Sequence, residues 1–305
     1  MKVNRIRQNV LPLLAAFIWG TAFVAQSMAA GHIGSFTFNA ARSVIAFFFL
    51  LILCVVRRIW QNNAGVRGAS APKDLVVAGA CCGTALAVAS YLQQKGIETT
   101  TSGKAGFITA LYIVLVPIAG LFLNRKVGIK VWIGVVLAMA GLYCLCITED
   151  FSIAEGDFYL LACAVCFTVQ IMCIDHFAQK VDGIELSCAQ FFVVSVISSV
   201  GMFLAETPTV EAVSACIWPI LYVGVFSSGV AYTLQILAQK DSNPTVVTLL
   251  LSLESVFATV AGAVILQDQM SGREYLGCGL MLFAVVLAQL PDKADARTNE
   301  GGTAL

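Results

Sequence analysis

The sequence predicts an all-α polytopic membrane protein of ten transmembrane helices, arranged as two inverted five-helix repeats. Three observations carry that expectation. Apolar runs of about 20 residues recur along the chain, each long enough to cross ~30 Å of hydrocarbon. Only 12% of the 305 residues are charged and 59% are hydrophobic, against about 25% charged in a soluble domain; mean hydropathy is +0.86. Segments of the first half also return in the second at a nearly constant offset. A soluble multidomain enzyme and a disordered chain are excluded by this composition. With 18 basic and 18 acidic residues the net charge is zero, so no global field points to nucleic acid or another polyanion as a partner.

The predicted spans are residues 10–30, 36–56, 75–94, 104–123, 129–147, 158–174, 184–204, 217–235, 244–266 and 275–290. They are read as helices because backbone polar groups in lipid must be satisfied within the segment, and the runs are too continuously apolar for the alternating strands of a barrel. An even number of spans puts both termini on one side. Lys and Arg then choose it. Lys2, Arg5, Arg7, Arg57, Arg58, Arg67, Lys73, Arg125, Lys126, Lys130, Lys180, Lys240, Lys293 and Arg297 fall on the face of the termini, against Lys95, Lys104 and Arg273 on the other. Both termini are therefore expected in the cytoplasm, with the acidic loop 148–157 outside. Lys2, Arg5 and Arg7 before an apolar run resemble a signal peptide, but the run is long and has a counterpart in the second half, so it is read as the first span.

The repeat is visible in three stretches. Tyr91 in Val88-Ala89-Ser90-Tyr91 returns as Tyr232 in Gly229-Val230-Ala231-Tyr232, 141 positions later. Phe122-Leu123-Asn124 through Trp132-Ile133-Gly134 returns as Ile265-Leu266-Gln267 through Tyr275-Leu276-Gly277, offset by 143. Leu13-Leu14-Ala15 through Thr21 matches Leu160-Leu161-Ala162 through Thr168. The domains are thus expected as residues 1–150 and 151–291, followed by a disordered cytoplasmic tail, 292–305. Five spans per copy is odd, so the second copy enters the membrane from the opposite face, a geometry that suits alternating access; duplication serving assembly alone is the other reading.

Polar residues inside the spans are the candidate site. Glu254 sits near the middle of its span, where a carboxylate must face protein or water or hold a proton. It reads as a proton-coupling or cation-binding group, or as a protonated helix-packing contact. Arg42, in the second span, can snorkel, pair within helix contacts or bind a substrate carboxylate; its repeat-equivalent position carries Gln190. Gln26, Gln94, Gln170 and Gln235, with Gln93, are uncharged donors and acceptors suited to orienting a polar solute or to joining helices. Trp19, Tyr91, Phe107, Tyr112 and Tyr232 supply aromatic surface fit for an amphipathic or cationic solute. Gly79-x-x-x-Gly83 has the spacing of close helix packing, Pro117 marks a kink and Pro244 a helix start.

Eleven cysteines, most of them within apolar runs, form no disulfide framework. Cys163-x-x-Cys166 lacks a second pair or nearby histidines and reads as packing, not metal. A membrane-embedded enzyme would need an Asp-rich metal motif, a Ser/His pair or H-E-x-x-H, and none occurs; a channel would need a filter-like loop or a ring of charges. No cofactor is expected.

Phe17-Ile18-Trp19-Gly20-Thr21-Ala22-Phe23, the run Ser102 to Tyr112 reading S-G-K-A-G-F-I-T-A-L-Y, Leu115-Val116-Pro117 and Ser252-Leu253-Glu254 resemble the EamA family of the drug/metabolite transporter superfamily, over nearly the whole chain. The resemblance implies a ten-helix transporter with a central cavity lined mainly by spans 1, 3, 4, 6, 8 and 9, carrying amino acids, other small metabolites or toxic organic compounds. Two departures stand out. Ser255 occupies the place where the family often has proline after the glutamate, which puts a kink there in doubt, and Leu266-Gln267-Asp268 supplies a shorter acid than the family's usual glutamate. The expectation is a secondary-active transporter of the plasma membrane, an exporter by family analogy, with import, a channel and an unrecognised membrane enzyme as alternatives. Its expected partners are a small-molecule substrate of zwitterionic, neutral or cationic type, protons and the lipid bilayer; its expected state is a monomer or weak dimer.

Overall fold

In lipid a backbone can satisfy its hydrogen bonds only within itself, and this chain does so with helices throughout its described length. The computed structural model describes residues 2–63, 70–99, 102–124, 127–146, 155–240, 242–265 and 270–289. The tail 292–305, Glu149 and Asp150 of the acidic loop, and Gln267 and Asp268 lie outside the described residues. In order come α1 (Lys2–Ala29), α2 (Ser35–Asn63), α3 (Pro72–Ile97), α4 (Ser102–Thr109), α5 (Tyr112–Phe122), α6 (Ile129–Cys146), α7 (Glu155–Phe177) and α8 (Gly183–Ala205). Then follow α9 (Val210–Ala215), α10 (Ile217–Tyr222), a π-helical segment (Val223–Ala231), α11 (Tyr232–Gln239), α12 (Pro244–Leu251), α13 (Glu254–Ile265) and α14 (Gly272–Gln289). Among the described residues eight helical segments are long and apolar enough to cross a membrane; Ile129–Leu145 is a shorter apolar helix, and α14 packs along it. The chain is an all-helical polytopic membrane protein.

Large apolar side chains face outward over the helical body, among them Phe48, Ile52, Val136, Phe203 and Leu282, all about half exposed or more. Water would not tolerate such a surface, and lipid does. Trp60 and Trp218, both 78% exposed, sit near helix ends, the depth where indoles meet headgroups.

Three predicted spans are broken. The fourth splits into α4 and α5 around Ala110–Leu111, where the amides of Ile113 and Val114 bond three residues back, to Ala110 (3.0 Å) and Leu111 (2.9 Å). Pro117 lies inside α5: its missing amide and bulky ring disturb the preceding turn, so the break falls upstream of the proline. The ninth splits between Leu251 and Glu254 although Ser255 replaces the expected proline. Hydroxyls loosen it instead, since Ser252 Oγ donates to the Leu249 carbonyl (2.7 Å) and Thr248 Oγ1 to that of Thr245 (2.9 Å), in competition with the helix ladder. The eighth carries the wide π-turns between α10 and α11, a rare form that concentrates at functional sites. The short α9 was not expected; Thr209 starts it by accepting from the Ala212 amide. Pro244 opens α12 as predicted, with Asn243 accepting from the Thr245 amide.

Glycines set the closest crossings. A Cβ on Gly79 would meet Ala189 Cβ at 2.7 Å, and one on Gly83 would meet Val193 Cβ at 2.6 Å, so α3 lies directly on α8 through the predicted glycine pair. Gly141 and Gly277 oppose one another where α6 crosses α14. Helices α2 and α8 run antiparallel and are tied at both ends. At one end Glu206 accepts from the amides of Phe36 (2.9 Å) and Thr37 (2.8 Å), satisfying orphan donors of α2's first turn. At the other, Asp182 caps α8 through the amides of Ile184 and Glu185 and pairs with Arg57 at 2.5 Å.

Burial alone would raise the Asp182 carboxyl, but the Arg57 guanidinium and the two α8 amides outweigh it and hold the group below its ordinary 3.8. A lowered carboxyl contributes stability above its unfolded value and loses it as pH falls through the folded one. Asp182→Ala is therefore expected to cost about 1 kcal/mol at neutral pH. In thermal unfolding of detergent-purified protein, the gap between wild type and variant should close as pH falls below 3.8.

Candidate functional site

The breaks converge on one place. Tyr112 opens α5 and Glu254 opens α13, and across the protein centre Tyr112 OH donates to Glu254 Oε1 at 3.2 Å. From α1, Trp19 Nε1 donates to the Ser227 carbonyl in the π-segment at 3.3 Å. The indole meets the Tyr232 ring edge-on, 4.8 Å between centroids, and Tyr232 in turn meets Phe191 at 5.5 Å.

These groups enclose a cavity lined by Trp19, Phe23, Gln26, Arg42, Gln93, Thr109, Tyr112, Phe167, Gln170, Ser227, Tyr232, Gln235, Leu251 and Glu254. Its walls come from α1, α2, α3, α4, α5, α7, the π-segment, α11, α12 and α13. Its free volume is about 40 Å³, room for a few waters and far below the ~300–1,000 Å³ of a pocket around a bound metabolite. A solute enters only if helices part.

The wall is polar and under-satisfied. Gln26 Oε1, Gln235 Oε1, both amide atoms of Gln170 and Arg42 Nε are buried without a protein hydrogen-bond partner. Such atoms are costly unless water or a ligand meets them. Arg42 is 5% exposed and lies 5.7 Å from the centre of the Phe38 ring; Glu254 is 7% exposed. Among the described residues the ion pairs are Arg57–Asp182 and Lys95–Glu98, so Arg42 and Glu254 share a cavity without pairing. No group of three His, Cys, Asp or Glu side chains among the described residues is placed to hold a metal.

Of the residues singled out from sequence, Trp19, Gln26, Arg42, Tyr112, Gln170, Tyr232, Gln235 and Glu254 are brought together here. Tyr91, Gln94 and Phe107 are not. The Tyr91 ring stacks on Phe36 at 4.1 Å, Gln94 is buried but does not line the cavity, and Phe107 turns to Tyr143, 6.3 Å away. On α3 it is Gln93 that lines the cavity; a helix turns about 100° per residue, so a neighbour one or two positions off faces elsewhere. Phe23 and Phe167 were missed although helical spacing announces both: Phe23 is one turn from Trp19, and Phe167 is three residues before Gln170. Ser227 had no signal, because its exposure to the cavity depends on the π-turn.

The chain resembles other membrane proteins over nearly its full length. It is 29% identical over 293 residues to an "Uncharacterized transporter" of Archaeoglobus fulgidus, covering 94% of this chain and 87% of that one. It is 24% identical over 297 residues to the "WAT1-related protein At3g02690, chloroplastic" of Arabidopsis thaliana, covering 92% of this chain and 68% of the relative. A solved crystal structure shares the fold with a TM-score of 0.77 at 19% identity, covering 96% of this chain and 98% of that one. The model of the EamA-like transporter family matches twice, over residues 8–147 and 154–290. With a cavity at the meeting of broken membrane helices and a family match running through both halves, the chain belongs to the EamA-like transporter family.

Proposed function

We propose that this membrane transporter is a secondary-active carrier that moves small organic solutes by alternating access and exports them in exchange for protons. The observation that carries the reading is the small central cavity. It holds buried, partnerless polar groups and one midplane carboxylate, at the junction of helices broken in the fourth, eighth and ninth spans. Broken helices at a repeat interface are where carriers hold their solutes, and the two family matches support reading the halves as inverted repeats. The packing also supports it: α2 with α8 and α6 with α14 pair a span with its own counterpart, and α3 on α7 is mirrored by α11 on α1. Export is the direction that the family resemblance favours.

Comparing the metabolites inside and outside cells that express or lack the protein should identify the solute as one depleted inside expressing cells. Counterflow of that solute in proteoliposomes then separates carriage from an indirect effect; a channel or an enzyme gives no counterflow.

The carrier is proposed to lie in the plasma membrane with both termini cytoplasmic. Glu155, exposed at the start of α7, then faces outside. A cysteine placed there in a cysteine-free background is expected to react with a membrane-impermeant maleimide on intact cells. Labelling only after the membrane is opened would reverse the orientation.

A further inference from the structure

The third and eighth spans answer to each other in sequence, yet they are wound differently. Gly83 and Gly224 stand 141 positions apart, as Tyr91 and Tyr232 do, and the two glycines make matching contacts. A Cβ on Gly83 would meet the Gln190 carbonyl oxygen at 2.7 Å and Val193 Cβ at 2.6 Å; one on Gly224 would meet the Arg42 carbonyl oxygen at 3.0 Å and Ile45 Cβ at 3.0 Å. Arg42 answers to Gln190 and Ile45 to Val193, both at an offset of 148, so one crossing is made twice. From there the halves diverge: α3 is α-helical from Pro72 to Ile97, while Val223–Ala231 is π-helical. No inserted residue accounts for this, since the offset is 141 at both ends of the stretch.

A turn closed five residues back holds more residues than one closed four back, so each residue advances less around the axis. Residues past the first π-turn therefore present another face than their counterparts on α3. Val88 is 41% exposed, whereas its counterpart Gly229 is buried, with a Cβ position 2.7 Å from the Phe49 ring. Tyr91 stacks on Phe36 outside the cavity, whereas Tyr232 meets Trp19 within it. Gln94 does not line the cavity and Gln235 does. One rotation accounts for all three pairs. The eighth span is held in its form from α1: Trp19 Nε1 donates to the Ser227 carbonyl at 3.3 Å, and the hydroxyls of Thr21 and Tyr222 share a hydrogen bond at 2.6 Å. On α7 the answering places carry Cys166, which has no indole N–H to offer, and Thr168, which bonds within its own helix to the Ala164 carbonyl.

We propose that the two halves exchange helical form during the transport cycle: in the alternate state α3 takes the wide turns between Gly83 and Tyr91, and the eighth span is α-helical throughout. The proposal rests on the alternating-access reading and names its moving part. Repeats of opposite orientation give the second state when each takes up the conformation of the other, and winding is what these two helices would trade. Val88 then packs on Ile197, which answers to Phe49 at the offset of 148. That contact sets two medium side chains where the π-form sets glycine against phenylalanine. Tyr91 and Gln94 turn to the cavity as Tyr232 and Gln235 leave it.

Two cysteine pairs, each in a cysteine-free background with a protease site in the loop 148–157, read the two forms in membranes. Phe49→Cys with Gly229→Cys reports the π-helical eighth span, and Val88→Cys with Ile197→Cys reports the exchanged form. Copper phenanthroline closes a pair to a disulfide, and after cleavage in the loop the joined halves run as one band without reductant. Both pairs are expected to close. Trp19→Phe, which removes the N–H that holds the Ser227 carbonyl, should raise the initial rate of closure at Val88–Ile197 relative to Phe49–Gly229 by about fivefold, the worth of one neutral hydrogen bond. No closure at Val88–Ile197, or a ratio that Trp19→Phe leaves unchanged, overturns the proposal. If a variant does not fold, amide hydrogen exchange of the wild type in lipid nanodiscs decides. Peptides over 83–91 and 223–231 should then exchange alike and at least about tenfold faster than α2 at the same depth; a stretch of α3 as protected as α2 overturns the proposal. Counterflow is measured separately: closure in this pattern by a protein that exchanges no solute would sink the carrier reading and leave the exchange of helical form standing.

Discussion

Glu254→Gln is expected to abolish concentrative transport under an imposed pH gradient while leaving the fold, and exchange without a gradient, in place. The carboxylate is 7% exposed in the interior of a membrane protein, and its hydrogen-bond partner, Tyr112, is uncharged. Ionised and unanswered at that depth it costs at least a few kcal/mol. A proton removes the cost, and so does a cationic group on a solute; the two occupants exclude each other. In the proposed alternating-access cycle this exclusion would become exchange: a state open to one side would trade proton for solute, and a state open to the other would reverse the trade. Glutamine has the same shape, still accepts from the Tyr112 hydroxyl and can hold no exchangeable proton. The measurement is accumulation of the solute found by the metabolite comparison, in proteoliposomes, at equal amounts of folded wild type and variant. Undiminished accumulation by the variant would remove Glu254 from coupling. Loss of folded protein would instead make the carboxylate structural.

How much of this could be read in the sequence differs between the helices and the site. The spans were legible because lipid imposes its requirement on composition: a run such as 36–56 must be apolar nearly throughout, and α2 duly covers it. The breaks were not. Pro117 advertises a disturbed helix but not that the helix parts at Ala110–Leu111, and Ser252 parts its helix with a hydroxyl that looks like any serine. The π-turn from Val223 to Ala231 leaves no trace in apolarity, because widening a turn changes its hydrogen bonds and not its residues. Depth in the membrane was legible and azimuth was not. Glu254, Trp19 and Gln170 meet at the centre because they share a depth and a face; Tyr91 shares the depth, but its face of α3 turns to Phe36. The opposed charges of Arg42 and Glu254 needed the fold, since residues so far apart in sequence show no sign of sharing a wall.

Gly20→Leu is expected to eliminate folded protein, and Gly20→Ala to lower both stability and transport. On Gly20 a Cβ would lie 2.6 Å from Phe257 Cβ, 2.7 Å from the Glu254 carbonyl oxygen and 2.8 Å from the Ala258 amide nitrogen. Two of those three atoms are backbone, so no side-chain rotation relieves the clash; α1 and α13 must separate. Alanine in place of a mid-helix glycine gains about 0.5–1 kcal/mol of helix propensity, while overpacking a tight contact costs about 1–3 kcal/mol. The balance is a net loss. A leucine has no space at all. The displacement falls on the residue that opens α13, so Glu254 moves with it and its bond to Tyr112 lengthens. Gly106→Ala supplies the control: a Cβ there meets nothing within 4 Å, and the same change should be neutral or stabilising by up to about 1 kcal/mol. The yield of folded protein reads Gly20→Leu, and unfolding temperature and initial transport rate, measured on wild type and the two alanine variants in one detergent and one lipid, give the comparison. A Gly20→Ala protein as stable and as active as Gly106→Ala would mean that α1 and α13 do not cross as closely as Gly20 implies.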